Sequence, residues 1–245
     1  SGAMISSATL HNQDEIDKKD IRINDYAIVQ RSGDVIPKIS KIILKKRPKN
    51  TVKFNIASHN CPSCQSIISR IEGEAAYRCE NLSCKAKLQG SIEHFCSKNA
   101  MNIDGLGSET VTLLVKNGLI NNYADLYDLT IDQILPLDRM AEKSAYNLIA
   151  GVEASKKIVF ERVLFALGIR YVGETVAKKL AKHYKDIEAL AIASEEELIN
   201  VDEIGEVIAK SVVSFFSLEK NIKIISQLKQ AGIQLKISET ELTGQ

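Results

Sequence analysis

Tryptophan is absent from this sequence, and aromatic residues make up only 5% of it. Aromatic side chains are the usual ligand-holding groups of lectins and aromatic cages, so the composition argues against both kinds of binding protein. No apolar run approaches the roughly 18 residues that a membrane span requires. Residues 1–4 lack the basic region and hydrophobic core of a signal peptide, and we interpret them as the remnant of a cleaved tag.

The length and composition favour a soluble protein of two or three domains. The chain has 245 residues, of which 44% are hydrophobic and 26% are charged, as in ordinary globular proteins. Its net charge of +1 conceals two stretches of opposite sign. Residues 18–53 hold eleven Lys/Arg and three Asp, whereas residues 186–203 hold seven acids and no Lys or Arg. The basic stretch predicts either a contact with a polyanion or a solvated face, and charge alone favours the solvated face.

Four of the five cysteines follow the pattern C-x2-C-x14-C-x4-C: Cys61, Cys64, Cys79 and Cys84. Two close pairs of thiolates are typical ligands of tetrahedral Zn²⁺. The alternatives are two disulfides, which fit poorly with a chain that has no secretory signal, or unpaired cysteines. Four thiolates leave no open position for a reacting water, so the pattern predicts a structural zinc. His59 is a weaker alternative ligand, and we expect Cys96 to be a buried helical thiol.

Residues 5–57 are predicted to be β. Strand-like segments occur at residues 26–30, 35–44 and 51–56, and the last of these alternates apolar and polar side chains. Pro37 indicates an edge or a bulge within the second segment. Three strands cannot close a barrel, so we expect a partial one.

The remaining chain divides into a small metal-binding module and a helical region. Residues 58–90 contain the four cysteines and a predicted hairpin turn at residues 72–74, and are too short to form a core without a metal. Residues 91–236 are predicted to be entirely helical, with capping boxes at residues 130–133 and 194–197. Residues 237–245 form a predicted polar tail.

The helical region contains a fourfold repeat. Each copy consists of a short hairpin followed by a helix, and the helices begin after Gly107, Ala141, Gly173 and Gly205, which are 34, 32 and 32 residues apart. This period predicts one supersecondary unit used four times, and the hairpin that opens each helix favours helix-hairpin-helix motifs. The alternative is an α-solenoid, in which the glycines are simple turn residues.

A glycine hairpin before a helix can bind a phosphate. Glycine permits close approach of the backbone, and the helix amino terminus offers free N–H groups and the positive end of its dipole. This chemistry makes Gly105, Gly107, Gly173 and Gly205 candidate DNA-binding residues. The first and third copies fit best, because the second has Arg139 and Ala141 at the glycine positions and the fourth is flanked by acids.

Several segments of the sequence match a known family. They are Ala8-Thr9-Leu10-His11-Asn12, Asp20-Ile21-Arg22-Ile23, Gln30-Arg31-Ser32-Gly33-Asp34-Val35-Ile36-Pro37, the four cysteines, Met101-Asn102-Ile103-Asp104-Gly105-Leu106-Gly107 and Gly168-Ile169-Arg170-Tyr171-Val172-Gly173-Glu174-Thr175. In these segments and in the order of its modules, the chain resembles the C-terminal part of bacterial NAD-dependent DNA ligases. The resemblance implies a multidomain fold: a partial OB-fold, a tetracysteine zinc finger and an all-α helix-hairpin-helix domain.

The resemblance also implies a function. The complete enzymes use NAD⁺ and Mg²⁺ to seal nicks in double-stranded DNA during replication and repair, with AMP first attached to a lysine of an adenylation domain. That lysine lies in a Lys-x-Asp-Gly motif, whereas the similar string here begins with Asn102. We therefore expect no catalytic residue in this chain and no ligation without the adenylation domain, which is absent, as is a BRCT domain. The chain would bind the phosphate backbone of nicked DNA without sequence specificity, as a monomer in the bacterial cytoplasm near the nucleoid.

Basic side chains supply a second kind of candidate DNA contact. Five are candidate DNA contacts, each against the alternative of an ordinary solvated residue: Arg22, Arg31, Lys38, Arg139 and Arg170. Two other functions compete with a ligase part, namely a standalone DNA-binding module and a protein-interaction scaffold. The partial barrel argues against the standalone module, and DNA binding would exclude the scaffold.

Overall fold

The computed structural model describes residues 4–31, 36–81, 83–138 and 140–238. The chain divides into two units, residues 1–85 and residues 86–245. In the described part, no helix has both the length and the apolar character needed to cross a lipid bilayer.

The first unit opens with a helix that the sequence analysis did not predict. Helix α1, Gln13–Lys18, begins at Asn12, whose side chain accepts a hydrogen bond of 2.9 Å from the Glu15 amide. Asn is a preferred residue at this position because it satisfies an otherwise free N–H group. The helix buries Ile16. The prediction that residues 5–57 are wholly β is therefore wrong at this helix.

Two of the three predicted strands are present. Strands β1, Ala27–Gln30, and β2, Lys38–Ile42, pair antiparallel, and their register shifts between Ile28 and Val29. The predicted second strand extends too far, because residues 44–46 form a 3-10 turn.

The predicted third strand at residues 51–56 is wrong. Within this segment, Lys53 makes an isolated bridge to Arg22, and a 3-10 turn starts at Ile56. Phe54 and Ile56 nevertheless pack on the small core of Ile16, Ile21 and Ile42, whereas Val52 is 65% exposed. The alternating pattern thus reflects two partly buried side chains rather than a paired strand.

An ion cluster lies beside this core. Arg47 Nε lies 2.8 Å from Asp25 Oδ1, and Arg47 Nη1 lies 2.6 Å from Asp20 Oδ2. The Asp25 side chain is only 2% exposed. The guanidinium group holds the pKa of Asp25 below its usual value and, with help from Arg22, lowers the pKa of Asp20 to about 2.

The four cysteines flank a short hairpin in the same unit. Strands β3, Ile68–Ser69, and β4, Arg78–Cys79, pair antiparallel. Gly73 has a φ of +83° in the connection between them, as the predicted turn at residues 72–74 requires. This unit contains a small β part and a metal-binding module, in agreement with the predicted mixed fold.

In its described part the second unit is built from helices and their connections, with one isolated bridge between Asp186 and Lys236. Its ten α-helices are α2 Lys85–Cys96, α3 Ser108–Lys116, α4 Ile131–Ile134, α5 Glu142–Ser155, α6 Phe160–Ala166, α7 Glu174–Tyr184, α8 Ile187–Ala191, α9 Glu195–Ile199, α10 Glu206–Ser217 and α11 Glu219–Gln230, with a 3-10 helix at Tyr123–Asp128. Helix α2 starts upstream of residue 91, where the helical region was expected to begin. Cys96 is buried at its end, as predicted.

Local sequence signals begin several of these helices. The predicted capping boxes are present at Thr130 before α4 and at Ser194 before α9. A further one at Asn122 starts the 3-10 helix, where the Asn122 side chain accepts a bond of 2.7 Å from the Ala124 amide. One continuous hydrophobic core joins the helices and includes Phe95 and Leu164, both fully buried.

After α11, the chain runs back to the connection between α7 and α8. The Ile187 amide donates to the Leu235 carbonyl over 2.9 Å, and the Ile237 amide donates to the Lys185 carbonyl over 2.8 Å. Ile237 also packs on the core. The polar tail, which was predicted to start at residue 237, therefore does not include this residue. Residues 239–245 lie outside the described residues.

Candidate metal centre and nucleic-acid interface

The four cysteines of the C-x2-C-x14-C-x4-C pattern converge. All four sulfur atoms lie within 4.8 Å of one another, with 3.9 Å between Cys61 and Cys84 and 3.5 Å between Cys64 and Cys79. Disulfide sulfurs would be about 2.05 Å apart, so these thiols are not bonded to each other. Sulfurs bound at about 2.3 Å to one tetrahedral Zn²⁺ would be separated by nearly 4 Å. The donor set therefore fits zinc.

Two thiols of the cluster have pKa values that are shifted in opposite directions. Hydrogen bonds with Ser66 lower the pKa of Cys64 to about 6, whereas burial raises the pKa of Cys79 to about 12. A dication favours the thiolate form at every ligand. His59, the weaker alternative ligand, instead places Nδ1 2.8 Å from the Asn55 carbonyl and lies outside the cluster.

The four repeat copies share one backbone geometry at the helix start. Gly107, Ala141, Gly173 and Gly205 immediately precede α3, α5, α7 and α10, all with φ between −70° and −88° and extended ψ. In none of the four does a side chain cap the helix. The first N–H groups of each helix therefore have no capping side chain that competes with a ligand. Ala141 adopts the same geometry as the glycines, so alanine does not distort the second copy.

In the first, third and fourth hairpins, a left-handed residue lies two positions before the residue at the helix start. Gly105 has a φ of +86°, and the equivalent residues Tyr171 and Glu203 have a φ of +63°. Arg139, the equivalent residue of the second copy, lies outside the described residues. The position that requires a left-handed backbone is thus a glycine in one described copy and a side-chain-bearing residue in two others. Sequence reasoning missed Tyr171 and Glu203, because a non-glycine residue gives no local signal of this conformation.

Glycine at the helix start is not needed for the fold. A Cβ atom added at Gly107, Gly173 or Gly205 would meet no atom within 4 Å. Any residue can adopt the backbone angles at these three positions. A Cβ atom at any of these positions would occupy space directly in front of a helix amino terminus. The arrangement suits a ligand that approaches the backbone closely.

The hairpins are arranged in two pairs. Gly105 of the first hairpin packs on Leu148 of α5, the helix that the second hairpin begins. In the same way, the Ser211 hydroxyl of α10 donates a bond of 2.7 Å to the Arg170 carbonyl of the third hairpin. The fourth hairpin contacts α7 through Lys179. Each hairpin of the second pair is therefore held by the helix that the other begins.

The third and fourth hairpins differ in charge. The Arg170 guanidinium lies 5.0 Å from the centre of the Tyr171 ring, and Tyr171 is 43% exposed. In the fourth hairpin, Lys179 Nζ lies 2.9 Å from Asp202 Oδ2 and 2.7 Å from Glu203 Oε1. A lysine of the preceding copy thus offsets the acids beside Gly205.

The other basic candidates lie in the first unit. Arg22 Nε and Nη2 each donate to Asp20 over 3.1 Å, so this side chain already has a partner. Lys38 begins β2 and lines a cavity of about 330 Å³ with His11. Arg31 is exposed next to residues 32–35, which lie outside the described residues. These positions keep Arg31 and Lys38 as candidate contacts and make Arg22 the weakest.

One basic residue near the first hairpin was not predicted. Lys98 lines a cavity of about 410 Å³ together with Asn102, Asp104, Gly105 and Gly107. Its position between α2 and the hairpin depends on tertiary packing, and no motif in the sequence indicates it. The Lys98 cation at this cavity offsets the negative charge of Asp104 in the first hairpin.

Comparisons with known proteins identify the modules. The model described as NAD-dependent DNA ligase OB-fold domain matches residues 1–51, and the model described as NAD-dependent DNA ligase C4 zinc finger domain matches residues 60–86. A helix-hairpin-helix motif model matches residues 162–225. The last match contains the third and fourth repeat copies.

Curated relatives agree with these matches. The chain is 57% identical to a DNA ligase of Flavobacterium psychrophilum over 99% of its own length, and 55% identical to one of Christiangramia forsetii over its whole length. A DNA ligase of Bacillus velezensis is 44% identical over 95% of the chain. The chain spans 36%, 37% and 34% of the length of these three relatives.

Proposed function

Because this chain belongs to the NAD-dependent DNA ligase family, we propose that it is the part of such an enzyme that holds nicked double-stranded DNA. It does so through the phosphate backbone and without reading base sequence. The helix-hairpin-helix copies supply neutral N–H donors, and Arg31, Lys38 and Arg170 supply charge. Arg22 and Arg139 are secondary contacts.

One observation carries this proposal: three helices start with a glycine that the fold does not require. Gly107, Gly173 and Gly205 have unstrained backbone angles and open space at the Cβ position. A phosphate oxygen that accepts hydrogen bonds from the first helical N–H groups would need this space. Glycines that serve a turn by left-handed backbone geometry would have positive φ, as Gly105 has, whereas these three do not.

The zinc site has a structural role in this proposal. Cys61, Cys64, Cys79 and Cys84 complete a tetrahedral ligand set, so a bound Zn²⁺ has no free position for a substrate or water. The ion would hold the β3–β4 hairpin and the segment before α2 in place. We infer that this module folds only with metal, since its segment is too small for a core.

Ligation itself is assigned to the rest of the longer protein. In the family, NAD⁺ supplies the adenylyl group and Mg²⁺ assists its transfer. No Lys-x-Asp-Gly string occurs in this chain, and the similar string at Asn102 lies in the first hairpin, where asparagine cannot carry AMP. We therefore expect this chain to bind nicked DNA without sealing it, and to bind it as a monomer.

Equilibrium binding to a labelled nicked duplex, with the intact duplex for comparison, tests this function. The zinc-loaded chain is measured across a salt series beside Gly107→Ala and Gly173→Ala. Both variants should keep their melting temperatures, because alanine fits the backbone and meets no atom. Their affinities should fall by about tenfold or less, and nearly equally at every salt concentration, because a neutral N–H donor releases few counterions.

The outcomes separate the possible functions. Steeply salt-dependent binding of the wild-type chain, weakened by either glycine substitution, supports phosphate binding by the hairpins. A folded, zinc-loaded chain that does not bind at low salt would contradict the proposal and favour a protein-interaction scaffold. Binding that both alanine variants retain in full would assign the affinity to the basic side chains instead.

A further inference from the structure

A glycine inside helix α5 lies close to the backbone of the first hairpin. Gly151 lies in the interior of α5, where glycine is a poor helix former. A Cβ atom at Gly151 would lie 3.2 Å from the carbonyl oxygen of Asp104 and 3.5 Å from its amide nitrogen. Both atoms belong to the hairpin backbone, so they cannot move aside as a flexible side chain would. The glycine thus permits a close approach of α5 to the hairpin.

The contact is made at the base of the proposed phosphate site. Asp104 directly precedes Gly105, the left-handed residue of the first hairpin, and Gly105 itself packs on Leu148, one turn before Gly151 on α5. Gly107 then begins α3. Three residues, Gly105, Leu106 and Gly107, separate Asp104 from the first residue of α3, so a displacement of the Asp104 backbone is passed on to the first N–H groups of this helix.

The second pair of hairpins has a contact at the equivalent place. Arg170 precedes the left-handed residue Tyr171, as Asp104 precedes Gly105. Its carbonyl accepts the 2.7 Å hydrogen bond from Ser211 of α10. In both pairs, a small residue on the helix of the following copy thus contacts the carbonyl just before the left-handed turn. One contact is a close approach of backbones and the other is a hydrogen bond.

We propose that Gly151 and Ser211 are positioning residues that fix the first and third hairpins at the distance from α5 and α10 at which their helix amino termini bind phosphate. This inference rests on the proposed function. Neither residue contacts DNA in this arrangement. Each acts through the carbonyl of Asp104 or Arg170, and geometry held to within about 0.5 Å is what a binding site of this kind requires.

The first test is Gly151→Ala, with Gly90→Ala as the matched control. Gly90 also lies inside a helix, α2, and a Cβ atom there would meet nothing within 4 Å. Both substitutions favour the helix, so loss of folding is not the expected effect of either. Gly151→Ala should lower the affinity for nicked duplex by about three- to tenfold at constant salt, whereas Gly90→Ala should bind as the wild type does.

A double-mutant cycle shows whether the effect passes through the first hairpin. Gly107→Ala and Gly151→Ala combined should lose little more affinity than Gly107→Ala alone, because both disable the same site. For Gly151→Ala combined with Gly173→Ala, the fold-loss of affinity should equal the product of the two single fold-losses, because the third hairpin is independent. Additive losses in the first combination would overturn the inference, since a general effect on the helical unit would add to either hairpin variant.

Ser211→Ala provides the second arm, with Ser217→Ala as its control. Ser217 donates within its own helix, to the Val213 carbonyl, and is exposed. Ser211→Ala should weaken binding and should not add to Gly173→Ala, while Ser217→Ala should have no effect. If Gly107→Ala and Gly173→Ala both bind as wild type does, phosphate binding by the hairpins fails and the affinity belongs to the basic side chains. If Gly107→Ala binds weakly but Gly151→Ala and Ser211→Ala bind as wild type does, only this inference is overturned.

Discussion

Lys179 on α7 forms ion pairs with Glu203, 2.7 Å away, and with Asp202, 2.9 Å away, in the fourth hairpin. Both acids lie just before Gly205, where a negative charge opposes binding of a phosphate. The acids raise the pKa of Lys179, so it stays charged at neutral pH. The lysine therefore reduces the repulsion that this hairpin would otherwise exert on DNA.

Lys179→Ala should weaken DNA binding more than removal of an unpaired lysine does. The substitution removes one positive charge and also leaves two carboxylates unpaired, so we expect an affinity loss of several fold at low salt that shrinks as salt rises. Lys220→Ala on the exposed face of α11 is the control for simple charge loss. The combination of Asp202→Asn and Glu203→Gln should have the opposite effect and tighten binding. Equal affinities of the two lysine variants would show that the fourth hairpin does not approach DNA.

Metal removal should unfold the cysteine module and leave the second unit folded. The four cysteines converge in the first unit, whereas residues 86–238 contain the large hydrophobic core. A chelator, or Cys61→Ser, should therefore abolish stoichiometric zinc without reducing the helical circular dichroism appreciably. Cys96→Ser, in which the substituted thiol lies in the core, should retain zinc. Loss of zinc from the Cys96 variant, or its retention by the Cys61 variant, would contradict this assignment of ligands.

Gly105→Ala should destabilise the helical unit, whereas Gly107→Ala should not. The φ of +86° at Gly105 is unfavourable for a residue with a Cβ atom and costs about 1 kcal/mol, while the φ of −75° at Gly107 is ordinary. Thermal or denaturant unfolding followed by circular dichroism measures both. The paired variants separate the two roles of glycine in one hairpin, since the first glycine serves the turn and the second leaves space for the ligand. Equal destabilisation by the two substitutions would contradict this division.

The sequence was sufficient where the signal is local or periodic. The capping boxes at Thr130 and Ser194 and the start of each repeat helix are short-range patterns, and the cysteine spacing predicted the cluster that forms. The left-handed backbone at Tyr171 and Glu203 could not be predicted, because packing of the hairpin imposes it against local preference. Gly151 was missed for the same reason, since its neighbour Asp104 is distant in the sequence.

The errors in the first unit have a different cause. Residues 51–56 alternate as a strand would, but alternation specifies only which side chains are buried, and a strand also needs a neighbour to accept its hydrogen bonds. Phe54 and Ile56 satisfy the pattern without that pairing. Helix α1 was missed because it has six residues and buries one large apolar side chain, Ile16, too few to produce a helical period.

The ion cluster around Arg47 should make the first unit sensitive to acid. Asp20 and Asp25 have a lower pKa in the folded chain than the usual 3.8, so the unfolded state binds more protons as the pH falls. The stabilisation by these carboxylates is therefore complete above about pH 5 and is lost as the pH falls through 4 towards 2. Arg70 lowers the pKa of Asp14, and Lys19 lowers the pKa of Glu15. Both carboxylates therefore contribute to the same loss of stability as the pH falls.

Arg47→Ala should lower the stability of the first unit at neutral pH and flatten its pH dependence below pH 4, because Asp20 and Asp25 lose the partner that lowers their pKa. Hydrogen exchange measures this locally, at amides such as that of Ile43, which donates to the Tyr26 carbonyl beside the cluster. Lys45→Ala, at an exposed neighbouring residue, is the control and should keep the wild-type profile. The residual pH dependence of the Arg47 variant should come from Asp14, Glu15 and the contacts that Arg22 keeps with Asp20 and Asp25. A variant that lost stability equally at pH 3 and pH 7 would show that Arg47 acts through packing of its side chain and not through these two carboxylates.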